Sequence, residues 1–177
     1  NGTYVIGVKN ATTVGQLDTV NITVDDGVST TSTVALGTPT LTGIETVSIT
    51  ANDTTTVTAL TSAASLTNLN VSGAKAATIT TGALAINANT SVDASGKTAG
   101  AFTFDADLST GRGMNVTGGD AGDTITMSDD GLADVISSGG GADTIFADGK
   151  GVADAQTLTF AETTGGGTDS AITVTFH

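Results

Sequence analysis

Asp123 and Asp143 stand twenty positions apart, each closing a glycine-rich run and each followed at once by Thr-Ile, in GGDAGDTIT over 118–126 and SGGGADTIF over 138–146. Glycines reach positive φ without a Cβ penalty, so such a run can turn several carbonyls toward one point. A carboxylate at the end of it completes a set of hard oxygen donors. Ca2+ takes about 6–8 oxygens at roughly 2.3–2.6 Å and mixes carboxylates with carbonyls, so the chemistry these residue types suit is cation binding. Of the 18 acids only Glu45 and Glu162 are Glu, and the short Asp carboxylate is the one that bonds to neighbouring backbone in tight turns. Two further nonapeptide stretches, DDGLADVIS over 129–137 and GKGVADAQT over 149–157, put Asp134 and Asp154 at the matching position. The two fuller copies and the two degenerate ones therefore alternate along the chain, as turns on opposite sides of a coil would.

The bulk of the chain supports a cation partner and removes several others. Among 177 residues, 5 are basic and 18 acidic, for a net charge of −13 and a pI near 4.1. That balance repels nucleic acid and anionic membranes. Ten of the acids fall between Asp105 and Asp154, whereas the first hundred positions are mostly Thr, Ala, Val, Ser and Asn. No cysteine is present, which excludes disulfides and thiolate metal sites. No apolar run approaches the ~20 residues of a membrane span. The one histidine, His177, ends the chain and reads as a chain-end feature. The chain starts at Asn1 without a Met and reads as a fragment or processed product. Catalysis is not expected: there is no internal His, no Cys and no phosphate-binding loop, so the common nucleophilic and phosphoryl mechanisms lack their parts. Paired carboxylates remain for sugar hydrolysis, but with 3% aromatics and no Trp a sugar-stacking cleft is hard to build.

The elements that must position the aspartates repeat. Ile49, Val71, Ala94, Val116 and Ile136 centre short β-like segments at nearly even intervals. A second series, Val57, Ile79, Phe102, Ile125 and Ile145, interleaves with the first at the same intervals. Two series sharing one period predict a solenoid in which each coil gives at least two strands. Each centre has Thr, Ser or Asn on at least one side, the alternation that sends one side chain inward and the next to solvent. The fold class expected is therefore all-β, a parallel β-solenoid (β-helix or β-roll) with coils of about 20–23 residues, and the second series should form one internal column. Residues 1–40 are expected to be a less regular β segment or cap, 41–160 the solenoid, and 161–177 a terminal strand or cap. DTVNIT, from Asp18, and ETVSIT, from Glu45, resemble each other at a separation off the period, and Asp25-Asp26-Gly27 between them reads as a turn. TSAASLTNL at 61–69 could hold a helical turn, and FDAD at 104–107 reads as a turn.

The two fuller nonapeptides and the two degenerate ones resemble the G-G-x-G-x-D-x-U-x repeat of the repeats-in-toxin (RTX) calcium-binding β-roll proteins, over the segment 118–157. Ala121 stands where the first copy would have its fourth-position glycine and Ser138 where the second would have its first; in the degenerate pair Leu132, Val152 and Gln156 depart further. The resemblance implies Ca2+ shared between same-side turns. Its ligands would come from Gly118, Gly119, Asp120, Ala121 and Asp123 on one turn and Ser138, Gly139, Gly140, Gly141 and Asp143 on the next, with Asp134 and Asp154 the matching carboxylates of the opposite edge. The departures weigh against that second edge. The metal-free alternative is an ordinary β-turn at each position.

With its Thr-Ala-Gly coils and acidic balance the chain resembles, as a whole, the type I-secreted bacterial surface-layer (S-layer) proteins. That implies a structural, non-enzymatic protein at the extracellular bacterial cell surface, self-assembling with copies of itself into a lattice in calcium and attaching to a cell-surface polysaccharide. A module of a large type I-secreted RTX adhesin or toxin would use the same turns with a different partner. A third reading is ice binding, from Thr56 and Thr58, Thr78 and Thr80, and Thr124 and Thr126 as outward rows, with Ala101 and Phe146 as interruptions.

Overall fold

A computed structural model describes residues 17–27, 32–61, 64–81, 90–106, 113–128, 134–147, 157–159 and 173–176. Successive strands alternate between two parallel sheets. The first sheet stacks β1 (Thr19–Val24), β3 (Thr46–Ala51), β5 (Asn68–Ser72), β7 (Ser91–Gly96), β9 (Asn115–Thr117), β11 (Val135–Ser137) and β13 (Thr157–Thr159) in that order. The second stacks β2 (Thr33–Gly37), β4 (Thr54–Leu60), β6 (Ala77–Thr81), β8 (Phe102–Asp105), β10 (Thr124–Thr126), β12 (Thr144–Ala147) and β14 (Thr173–Phe176). Every strand thus pairs in parallel with the strand two along the chain, which makes a β-solenoid. No helix occurs among the described residues, and 64–65 form a turn where a helical turn is expected from the sequence.

The alternation of side chains builds the core. In β3 the buried residues are Val47, Ile49 and Ala51, while Thr46, Ser48 and Thr50 are only partly covered. The same period of two runs through β5 and β6, where Leu69, Val71, Ala77 and Ile79 are buried. Branching at Cβ fits Thr, Val and Ile to extended backbone. Period-two patterning then fixes the register, because a slip of one position would expose the whole apolar set.

Register corrects one expected column. In the second sheet Val57 pairs with Ile79, Ile79 with Phe104, Phe104 with Ile125 and Ile125 with Ile145. Phe104 instead of the expected Phe102 therefore occupies the column, and Phe102 lies beside Ala77 and ahead of the strand that starts at Thr124. Both rings are fully buried and stacked, with centroids 5.9 Å apart. Because the offset is two, parity survives and both phenylalanines point inward. In the first sheet a matching offset makes Val116 pair with Val92 instead of Ala94, and an irregularity separately interrupts the pairing of β5 with β7 between Asn70 and Ser72. Phe104 and Asp105 lie in β8, not in a turn.

The same register brings Thr56, Thr78, Thr103, Thr124, Thr144 and Thr173 into one column across six strands. Thr103 takes the place expected for Ala101. Phe146 belongs to the neighbouring column, opposite Thr126.

Candidate functional site

Among the described residues, the turns that lead from the first sheet to the second lie along one edge of the solenoid, and the residues that enter the first sheet from the second lie along the other. Asp123 and Asp143 each immediately precede a strand of the second sheet, β10 and β12, and so share an edge; Asp134 precedes β11 of the first sheet and sits on the opposite one. The expected spacing of same-side turns is therefore a stacking distance of one coil. The bends at 118–123 and 138–143 rest directly on one another. Gly140 N–H donates to Gly119 O at 2.8 Å and Gly118 N–H to Ser137 O at 2.8 Å. A side chain at Gly122 would bring its Cβ within 2.6 Å of Ala142 O, and one at Gly118 would overlap the Ser138 carbonyl. Gly139 has φ +87° and faces the Gly119 carbonyl. Glycine is required here because backbone lies against backbone.

The aspartates do not point to solvent. Asp123, Asp134 and Asp143 are all buried, the least so at 2% exposure. Each reaches back one coil to an amide. Asp123 Oδ1 accepts from Phe102 N–H at 2.8 Å, Asp134 Oδ1 from Met114 N–H at 2.6 Å and Asp143 Oδ1 from Asp123 N–H at 2.9 Å. The same device operates at the start of the chain, where Glu45 Oε2 accepts from Asp18 N–H at 2.8 Å and Asp53 Oδ2 from Asp26 N–H at 2.6 Å. Each of these five acids directly precedes a strand. At all but Asp26 the acid satisfies an N–H that the ladder leaves over as the chain enters the sheet, and charge-assisted bonds of this kind are the stronger ones. It also explains why the acid is followed at once by the β-branched start of a strand.

The second oxygens differ. Asp123 Oδ2 accepts from Gly119 N–H at 2.7 Å, and Asp134 Oδ2 lies 3.4 Å from Ser128 Oγ. Asp143 Oδ2 is buried and makes no hydrogen bond, and neither does the buried Ser138 Oγ. The Ser138 hydroxyl is near enough to favour ionised Asp143 without hydrogen-bond geometry. Burial pushes the Asp123 carboxyl up to about 6, against the opposing pull of the Phe102 and Gly119 N–H groups; the Asp143 charge pushes the same way as burial, and Lys97 opposes it. Burial raises Asp143 too, opposed by the Asp123 N–H and the Ser138 hydroxyl.

A desolvated carboxylate oxygen and a desolvated hydroxyl left without partners are costly, and a cation would satisfy both. The residues at this joint therefore fit a cation such as Ca2+, with Asp143 Oδ2 and Ser138 Oγ as the unpartnered donors. Gly118, Gly119, Ala121, Gly139, Gly140 and Gly141 all fall in the two stacked bends, as does Asp120, whose side chain is exposed and whose N–H donates to Lys97 O at 2.9 Å. Asp134 fits less well, since both its oxygens lie near donors on its own edge. Asp154 lies outside the described residues.

A second acidic group escapes the sequence reading. Asp25, Asp26 and Asp53 bring one carboxylate oxygen each within 4.8 Å of one another, so that they can hold a metal ion. In the sequence Asp25 and Asp26 read only as a turn, and Asp53 belongs to the next coil. The available signal is the step from Asp18 to Glu45, which is the register of β1 on β3 and carries Asp26 onto Asp53.

The chain matches no protein-family model, no curated protein and no solved structure.

Proposed function

We propose that this chain is a structural module of an exported bacterial surface protein, a β-solenoid whose coils are held along one edge by Ca2+ at the 118–123 and 138–143 bends. The observation that carries the reading is the buried, unpartnered Asp143 Oδ2 beside the equally unpartnered Ser138 Oγ, between bends already in backbone contact. A solenoid has little core per coil, so an ion that binds only the stacked state contributes directly to folding. Extracellular calcium modules bind at about 10⁻⁴–10⁻³ M, which suits a chain that stays loose inside the cell and sets outside it. With a net charge of −13, metal binding also lowers the repulsion between copies and favours assembly into a lattice, the S-layer form of the reading.

The test is a calcium titration followed by circular dichroism and electron microscopy, with Asp143→Ala and Asp123→Ala alongside. β-Signal or thermal midpoint should rise with millimolar calcium in the parent chain and respond less in both variants. A parent chain equally folded in excess chelator would remove the reading. Ordered sheets of particles separate a lattice former from an adhesin-type module, which stays monomeric.

The unbroken column from Thr56 to Thr173 favours a second reading, ice binding, because hydroxyls repeat at the ~4.8 Å strand spacing. Absence of thermal hysteresis would eliminate it.

A further inference from the structure

The edge that carries Asp123 and Asp143 has a charge order that the net charge hides. Its first two turns hold Asp25, Asp26 and Asp53, the next two hold Lys75 and Lys97, and the following two hold Asp120, Asp123 and Asp143. Two of the chain's five basic residues thus occupy the two turns that contain no acid.

Lys97 is the unusual one. It is 0% exposed and among the largest wholly buried side chains. Its Nζ donates to the carbonyl of Lys75, one coil earlier. Its charge is felt by Asp123, one coil later, although no direct ion pair forms. Its backbone takes the place that glycine takes in the following turns: Asp120 N–H donates to Lys97 O at 2.9 Å just as Gly140 N–H donates to Gly119 O at 2.8 Å. A Cβ on Gly119 would lie 2.9 Å from Lys97 Cβ, so the 118–123 bend sits directly upon this lysine. Desolvating an ammonium is unfavourable unless oxygens and an opposite charge replace the water. Here the Lys75 carbonyl below accepts from the ammonium, and the Asp123 carboxylate above supplies an opposite charge beyond ion-pair distance. At the next joint, between 118–123 and 138–143, no buried cation is present among the described residues, and the unpartnered oxygens are found there instead.

We propose that the Lys97 ammonium is the built-in cation of the joint between the 97–101 and 118–123 turns, so that this joint holds without a metal ion while the next one requires it. The second half of that statement rests on the calcium reading of the 118–143 bends; the first half does not.

Thermal unfolding of the full chain in excess chelator tests it, comparing the parent with Lys97→Met, Asp123→Asn and the double variant. Removing the buried ammonium that offsets the Asp123 charge and bonds the Lys75 carbonyl predicts that Lys97→Met lowers the midpoint by about 5–10 °C. In the Asp123→Asn background the same substitution should cost nothing further, since the charge that Lys97 offsets is gone. If Lys97→Met alone does not fold, the double variant should. A midpoint for Lys97→Met indistinguishable from that of the parent overturns the proposal, and so does an equal loss in both backgrounds, or a double variant that also fails to fold. A parent chain indifferent to calcium would remove only the reading of the 118–143 joint and leave the Lys97 comparison standing.

Discussion

A carboxylate that loses its water on folding must find N–H donors, a cation or a proton, and neighbouring aspartates on this edge meet that demand differently. Asp123 has two backbone donors, from Phe102 and Gly119, whereas Asp143 has one, from Asp123, and a spare buried oxygen. This gives a pH signature whose sign depends on metal. Without metal, burial holds Asp123 at about 6, above its ordinary 3.8, so the folded chain keeps a proton that the unfolded chain has released. That contribution is complete below about pH 4 and is lost as pH rises through about 6, on the order of 2 kcal/mol. With calcium present the ionised carboxylate is the useful form, and the metal's contribution is lost as pH falls through the same range. Denaturant unfolding at pH 4.5 and pH 7, read as the difference between the parent and Asp123→Asn, should therefore favour the parent at the lower pH in chelator. The calcium-induced gain should be larger at pH 7. A parent-minus-variant difference that does not move with pH would show that burial does not govern this carboxyl.

At the scale of the turn, stacking of backbone on backbone makes a specific demand on glycine. Gly139→Ala places a methyl against the Gly119 carbonyl at φ +87° and should destabilise by about 2–4 kcal/mol in chemical denaturation. Gly27→Ala, at φ +73° with nothing within 4 Å of the added carbon, should cost only the ~1 kcal/mol of left-handed backbone. Equal losses at the two positions would mean that the bends do not bear on each other. Much of this level could be read from the chain, because period-two alternation and two interleaved series with a common repeat length suffice for parallel strands. The offset that puts Phe104 in the column of Ile79 and Ile125 could not. Either phenylalanine preserves the parity of the strand, and sequence spacing does not distinguish them when the turns before and after differ in length. The Asp-Thr-Ile motif suggested a cation-binding turn in the sequence, yet the duty the structure shows, accepting an amide from the coil below, appears only once Asp143 and Asp123 are seen in register. Glu45 and Asp53 share that duty with no glycine-rich run to mark them.

For the molecule as a whole, one edge reads as acids, then lysines, then acids, and the lysine turns divide the solenoid into a length that closes on its own cations and flanking lengths that do not. Calcium should then act locally. Its effect should concentrate where Asp120, Asp123 and Asp143 gather and should spare the coil around Lys75, even though every coil shares the same two sheets and the same apolar columns. The most direct measurement is amide hydrogen exchange of the full chain in millimolar calcium and in excess chelator, resolved to segments. Protection over 118–147 should rise by about tenfold or more with calcium, while 68–81 changes little. Equal protection of 118–147 in the two conditions would contradict the account.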